Sequence, residues 1–187
     1  FGEEFTSIEL TDMDLDNEVY VGLYVCSHNP KVLERATFSN VRIVKPVGDD
    51  YQAYREYIGS NLELMDVETG HREIIYHSAH SIQAPNWTVD GKKLIYNSKG
   101  RLYNYELETN SITPLNTGFA IKNNNDHVLT FDGKFLGISH HNQDDNGDSA
   151  LYYLPTNGDS NPKMVTKPGV GASYLHGWSP NNKEMIF

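Results

Sequence analysis

The sequence predicts an all-β chain: a partial β-propeller of about three four-stranded blades, preceded by a short piece of a β-sandwich. Three observations carry this reading. A segment recurs as Asn86-Trp87-Thr88-Val89-Asp90-Gly91-Lys92, Val128-Leu129-Thr130-Phe131-Asp132-Gly133-Lys134 and Gly177-Trp178-Ser179-Pro180-Asn181-Asn182-Lys183. The copies lie 42 residues apart from Asp90 to Asp132 and 49 apart from Asp132 to Asn181, the period of four-stranded propeller blades. Between the copies run short β-prone segments separated by regular turns.

Taken in order, residues 5–10 form a weak strand. Residues 19–25, Val19-Tyr20-Val21-Gly22-Leu23-Tyr24-Val25, are strongly β-prone, and residues 36–44 alternate as a half-buried strand does. Ser27-His28-Asn29-Pro30 between them has turn chemistry. Three strands cannot make an independent sandwich, so residues 1–47 read as the closing strands of a β-sandwich module. Pro46-Val47-Gly48-Asp49-Asp50 marks a boundary, and residues 48–58 read as a linker with a short helix.

Residues 59–187 read as propeller blades. A strand, a polar turn and a second strand recur: residues 61–67, Glu68-Thr69-Gly70 and 72–76; then 101–107, Glu108-Thr109-Asn110 and 111–115; then 150–154, Thr156-Asn157-Gly158-Asp159 and 163–166. Inner strands precede the Asp-Gly turn, a hairpin signal because Gly tolerates positive φ. The third copy has Asn181-Asn182, and Asn also tolerates left-handed backbone. Trp87 and Trp178, just before the turn, are expected to pack between neighbouring blades. Propellers usually need about four to eight blades to close. The chain is therefore expected to be a fragment of a longer protein, or to self-associate through open blade edges. A start at Phe1 without Met and an end within a strand-like run agree with that expectation.

The 187 residues carry a formal net charge of -10, which argues against nucleic acid or anionic lipid as partner. A small anionic ligand needs local gathering of His, Arg or a metal. No apolar run is long enough to span a membrane as a helix. The lone Cys26 has no internal disulfide partner and reads as a buried thiol in an apolar strand.

Gly59-Ser60-Asn61-Leu62-Glu63-Leu64-Met65-Asp66-Val67, Ala84-Pro85-Asn86-Trp87, Asn124-Asn125-Asp126-His127, Ser139-His140-His141 and Tyr174-Leu175-His176-Gly177-Trp178-Ser179-Pro180 resemble segments of bacterial TolB-like proteins, which carry the WD40-like repeat called PD40. The resemblance covers residues 59–187 and implies an exported propeller, periplasmic or secreted. Residues 19–44 are similar to the closing strands of a concanavalin-like jelly roll, a module of carbohydrate-associated proteins.

His127 lies five positions before Asp132 and His176 five before Asn181, so they occupy equivalent positions of consecutive inner strands. His140 and His141 follow the second strand of the middle blade. These residues, with Asp126 orienting a ring, could bind a divalent metal (Mn, Ni or Zn) or a sugar acid at the channel rim. The alternative is that they cap strands and bond the backbone. Asn142-Gln143-Asp144-Asp145-Asn146-Gly147 and the alternating Asp12, Asp14 and Asp16 mimic calcium loops. Both lack the closing Glu, with Tyr153 and Leu23 in its place. The sequon Asn86-Trp87-Thr88 lies on an inner strand and is discounted.

Two functions remain. One is a binding module whose rim engages a protein or an oligosaccharide. The other is a metal-dependent lyase of acidic oligosaccharides, since oligogalacturonate lyases resemble this plan: a metal would stabilise enolate-like charge while His or Arg takes the proton.

Overall fold

The structure, a computed structural model, describes residues 11–16, 18–38, 41, 47–53, 55–142, 147–167 and 169–187. The chain divides into two compact units, Phe1–Val41 and Arg42–Phe187. Among the described residues of the first, none forms a strand. The β-prone run at residues 19–25 is exposed throughout. Strand propensity measures fit to a neighbouring pleated surface, and here no partner ladder provides one. Cys26, expected to be buried, is exposed for the same reason. The turn after it is present: the Asn29 carbonyl accepts from the Val32 N–H at 3.1 Å. The strand expected at residues 5–10, and much of that at 36–44, lies outside the described residues. Among the described residues of the expected linker, turns are closed by Tyr51 N–H to the Gly48 carbonyl at 3.0 Å and by Glu56 N–H to the Gln52 carbonyl at 3.0 Å.

The second unit holds all the strands among the described residues. They are β1 (Ser60–Met65), β2 (Arg72–Ser78), β3 (Gln83–Trp87), β4 (Lys93–Ser98), β5 (Arg101–Glu106), β6 (Ser111–Pro114), β7 (Asn123–Leu129), β8 (Phe135–His141), β9 (Ser149–Pro155), β10 (Lys163–Met164), β11 (Gly177–Trp178) and β12 (Met185–Ile186). They form antiparallel sheets in sequence order: β1-β2, β3-β4-β5-β6, β7-β8-β9-β10 and β11-β12. The material expected to make about three blades is thus divided into two complete four-stranded blades flanked by two half-blades. The Asp66 turn marks β1-β2 as an outer pair, and the Asn181-Asn182 turn marks β11-β12 as an inner pair. No helix among the described residues is long and apolar enough to cross a membrane.

Blade faces explain the burial pattern. On β4, Leu94 and Tyr96 face one way and join Leu62 and Tyr105 in one core. Ile95, between them, faces the other way and joins Leu136, Ile138, Tyr152 and Leu154 in a second core. Both faces of β4 are buried, so it reads as a continuous apolar run without alternation. Gly137 on β8 leaves room for the next half-blade: a Cβ there would lie 2.6 Å from Leu175 Cδ2 and 3.0 Å from Trp178 Nε1.

The recurring turn has one geometry in three copies. Thr88, Thr130 and Ser179 each give a hydroxyl to the Asp90, Asp132 or Asn181 Oδ1, at 2.6, 2.8 and 2.7 Å. The same oxygens accept the Lys92, Lys134 and Lys183 N–H. Gly91, Gly133 and Asn182 follow with φ of 70°, 70° and 61°. Asn therefore does fill the left-handed position of the third turn.

Trp178 packs as expected, its indole N–H donating to the Val128 carbonyl at 3.0 Å on the inner strand of the preceding blade. Trp87 departs from expectation, with 51% of its surface exposed. The β1-β2 pair on that side supplies only outer strands, so no inner strand covers the indole.

The connector between the blades, residues 115–122, is pinned closely. Asp159 N–H donates to the Asn116 carbonyl at 2.9 Å, Asn123 N–H to the Gly100 carbonyl at 2.9 Å, and Thr117 Oγ to the Ala120 carbonyl at 2.6 Å. Gly118 has φ +54°, and a Cβ on it would meet the Ser160 carbonyl oxygen at 1.9 Å. Since that neighbour is backbone, it cannot swing away. Gly118→Ala should cost on the order of 3 kcal/mol in denaturant unfolding. Gly70→Ala, with φ +71° but open space around it, should cost only about 1 kcal/mol.

The turn carboxylates make a second expectation. The Thr88 hydroxyl, and then the Lys92 N–H, hold Asp90 below its ordinary value of 3.8; Thr130 and Lys134 do the same for Asp132. A folded-state pKa below the unfolded value contributes stability that is present above 3.8 and lost as pH falls through the lowered value. The variant Asp90→Asn with Asp132→Asn should therefore show a shallower decline of melting temperature with acidification than the parent.

Candidate functional site

Strand direction assigns the loops to two ends. The Asp-Gly turns and the β5-β6 turn lie at one end, here the turn end. The β4-β5 and β8-β9 turns lie at the other with the blade connectors, here the loop end. His140 and His141 close β8 at the loop end, with His140 opposite Asn123 and His141 opposite Ser149.

His127 is not at a rim. It lies inside β7 opposite Ile138 with 2% of its surface exposed, wedged at the junction of the blades. Its Nε2 is 3.2 Å from the Ile95 carbonyl of the preceding blade. Burial lowers its pKa, against the opposing pull of the Ile95 and Asn125 carbonyls and the Asp126 charge. His176, its sequence counterpart, is exposed just before β11, its N–H bonded to the Ile186 carbonyl at 2.9 Å. Asp126 accepts from the Asn124 amide at 2.8 Å. Sequence spacing matched the two His correctly along the strands, yet one ring is sealed in a junction and the other faces solvent. Among the described residues, no three His, Cys, Asp or Glu side chains gather closely enough to share a metal. Of the Asn142 loop, residues 143–146 lie outside the described residues.

His140 and His141 border an open cavity of about 610 Å³ at the loop end of the second blade. Its other walls include Phe119, Ile121, Lys122 and Met164. The Lys122 N–H donates to His140 Nδ1 at 3.3 Å, and the His141 N–H donates to the Lys122 carbonyl at 3.0 Å. A bond accepted at Nδ1 places the His140 proton on Nε2. Burial, and then the neighbouring His141, push the His140 ring toward its neutral form. His141 Nδ1 lies 3.0 Å from the Gly147 carbonyl. Phe119 meets the His140 and Tyr152 rings edge-on, at 5.8 and 5.4 Å between centroids. Sequence reasoning found the two His but missed Phe119, Ile121 and Lys122. The available signal was apolar residues in a connector outside any strand pattern.

The asparagine of the discounted sequon is engaged within the fold: Asn86 Nδ2 donates to the His127 carbonyl at 3.0 Å. With Asn97 Nδ2 bonded to the Asn123 and Asn124 carbonyls at 3.0 and 2.7 Å, it stitches the blades together at the backbone of β7.

Because folding lowers the pKa of buried His127 and His140, the unfolded chain binds more protons near pH 6. Their contribution to stability is full above the ordinary value of 6.5 and is lost as pH falls below it. Unfolding free energy should fall between pH 7.5 and 5.5, and His127→Asn should flatten that slope while costing about 1–3 kcal/mol at neutral pH. Denaturant titrations at the two pH values measure both effects.

No family model matches the chain. An uncharacterised protein of Agrobacterium fabrum, Atu1656, is 37% identical over 129 residues, 68% of this chain and 42% of that protein. A solved structure from Agrobacterium tumefaciens, given provisionally as TolB, is 38% identical with a TM-score of 0.59, covering 65% of this chain and 42% of that one. TolB from Acinetobacter baumannii is 24% identical with a TM-score of 0.49, covering 67% of this chain and 31% of that one. The chain thus spans less than half the length of these relatives.

Proposed function

We propose that this chain, whose strand-bearing part is a TolB-like β-propeller segment, serves as an exported protein-binding module that engages its partner with the loop end. The observation that carries the reading is the 38% identity and shared fold with the Agrobacterium TolB structure. Physical features agree with it. The blades are rigid, and the loop end presents side chains on connectors held by backbone bonds, the usual division between scaffold and binding loops. Phe119 is 52% exposed and Ile121 40% exposed on one such connector. Aromatic and aliphatic groups displayed on a fixed backbone suit protein recognition, because little ordering entropy remains to be lost on binding. An export route and a periplasmic location belong to the same proposal.

Site-specific photocrosslinking in the full-length protein tests it. A benzoylphenylalanine at Phe119 should yield a discrete protein adduct in cells, recovered from the periplasmic fraction. The same probe at Phe131, which is 62% exposed at the turn end, should yield none. Equal labelling from both ends, or none from Phe119, would overturn the reading. Retention of the protein on an acidic oligosaccharide with no adduct would replace it with a glycan-binding one.

A further inference from the structure

We propose that the loop-end cavity of the second blade is a binding site for a carboxylate carried on an apolar body. Lys122 pairs with the carboxylate, while Phe119, Ile121 and Met164 cover the apolar part. This inference shares Phe119 and Ile121 with the protein-binding reading but is argued from the cavity, and its test reads binding of free ligands rather than capture of a protein.

The cavity volume of about 610 Å³ falls in the range of small-molecule sites. Its composition fits an amphipathic acid. Phe119, Ile121 and Met164, all lining the cavity, expose 52%, 40% and 42% of their surface. The first two cannot retreat, because the connector carrying them is fixed at Gly118 against Ser160 and at Asn123 against Gly100. A rigid apolar wall in water is a surface that gains from being covered.

The protein carries a net charge of -10, whereas the described residues lining this cavity include Lys122, His140 and His141 and no Asp or Glu; Asp144 and Asp145, next to Asn142 of the lining, lie outside the described residues. Lys122 is exposed there and forms no ion pair among the described residues, whereas Lys93 and Lys134 at the turn end are paired with Glu106 and Asp132 at 2.7 and 3.2 Å. His140, held through Nδ1 by the Lys122 N–H, borders the same cavity. A cation beside apolar walls selects an anion with an apolar body over a neutral or cationic ligand. The loop-end cavity of the preceding blade repeats the theme, with Arg55, His80 and Lys99 beside Tyr57.

Such a carboxylate could come from a free organic acid or from the C-terminus of a peptide ending in apolar residues. Titration calorimetry of the full-length protein with 4-phenylbutyrate, its amide, and N-acetyl-Leu-Phe distinguishes them. Both acids should bind saturably, the tighter one identifying the source, and the amide should bind at least about tenfold more weakly. Phe119→Ala should weaken both acids, while Asp90→Asn at the turn end should leave them unchanged. Lys122→Glu should reject the acids and accept 4-phenylbutylamine, a gain that a misfolded variant could not show. Equal binding of acid and amide, no saturable binding at millimolar concentration, or acid binding that survives Lys122→Glu would each overturn the proposal.

Discussion

Each blade of this chain is stable only as half of two interfaces, and the junction between consecutive sheets is the constraint on which the rest depends. A four-stranded sheet with Leu94 and Tyr96 on one face and Ile95 on the other cannot keep either face in water. The neighbours supply the apolar cover, and a set of side-chain bonds to backbone fixes their register. Asn97 reaches the carbonyls of Asn123 and Asn124. At the matching position of the next blade, Ser139 Oγ accepts the Leu175 N–H at 2.9 Å. Polar stitching of this kind adds little net free energy, but a slip of one residue would bury unpaired amides, so it selects a single docking register.

The junction also determines what is available for function. His127 is consumed by it, its ring held against Ile95 where neutrality is favoured. The connector leading into β7 is held by its backbone and by the side chains of Leu115, Thr117 and Ala120, and this leaves the side chains of Phe119, Ile121 and Lys122 exposed. The same bonds that seal the interior therefore present a fixed set of groups at the loop end.

The fold was legible where a residue acts on its own backbone. Thr-x-Asp-Gly, and Ser-Pro-Asn-Asn in the third copy, make the turn from local bonds and one positive φ, so three copies could be placed from the text of the chain. It was less legible where a residue depends on a neighbour. Trp87 and Trp178 share a sequence position, but one finds the Val128 carbonyl and the other finds no inner strand. Residues 19–25 have strand composition and lack a ladder. His127 and His176 match in spacing and differ in exposure, because burial is a property of the junction and not of the strand. Phe119 was silent for the opposite reason: an apolar residue in a connector belongs to no period.

The third turn differs from the second in a way that reaches beyond its own hairpin. Gly133 leaves space into which Val89 of the previous turn fits, with Val89 Cγ2 2.9 Å from where a Cβ would stand. Asn182, at the corresponding place, instead sends its Oδ1 back to the Phe131 N–H at 2.7 Å. One junction is thus matched by shape and the next by a single polar clasp. The blades look like copies, but each recognises its predecessor by different means, so their order is written into the joints. A chain with its blades permuted would keep every hairpin but lose both of these matched contacts.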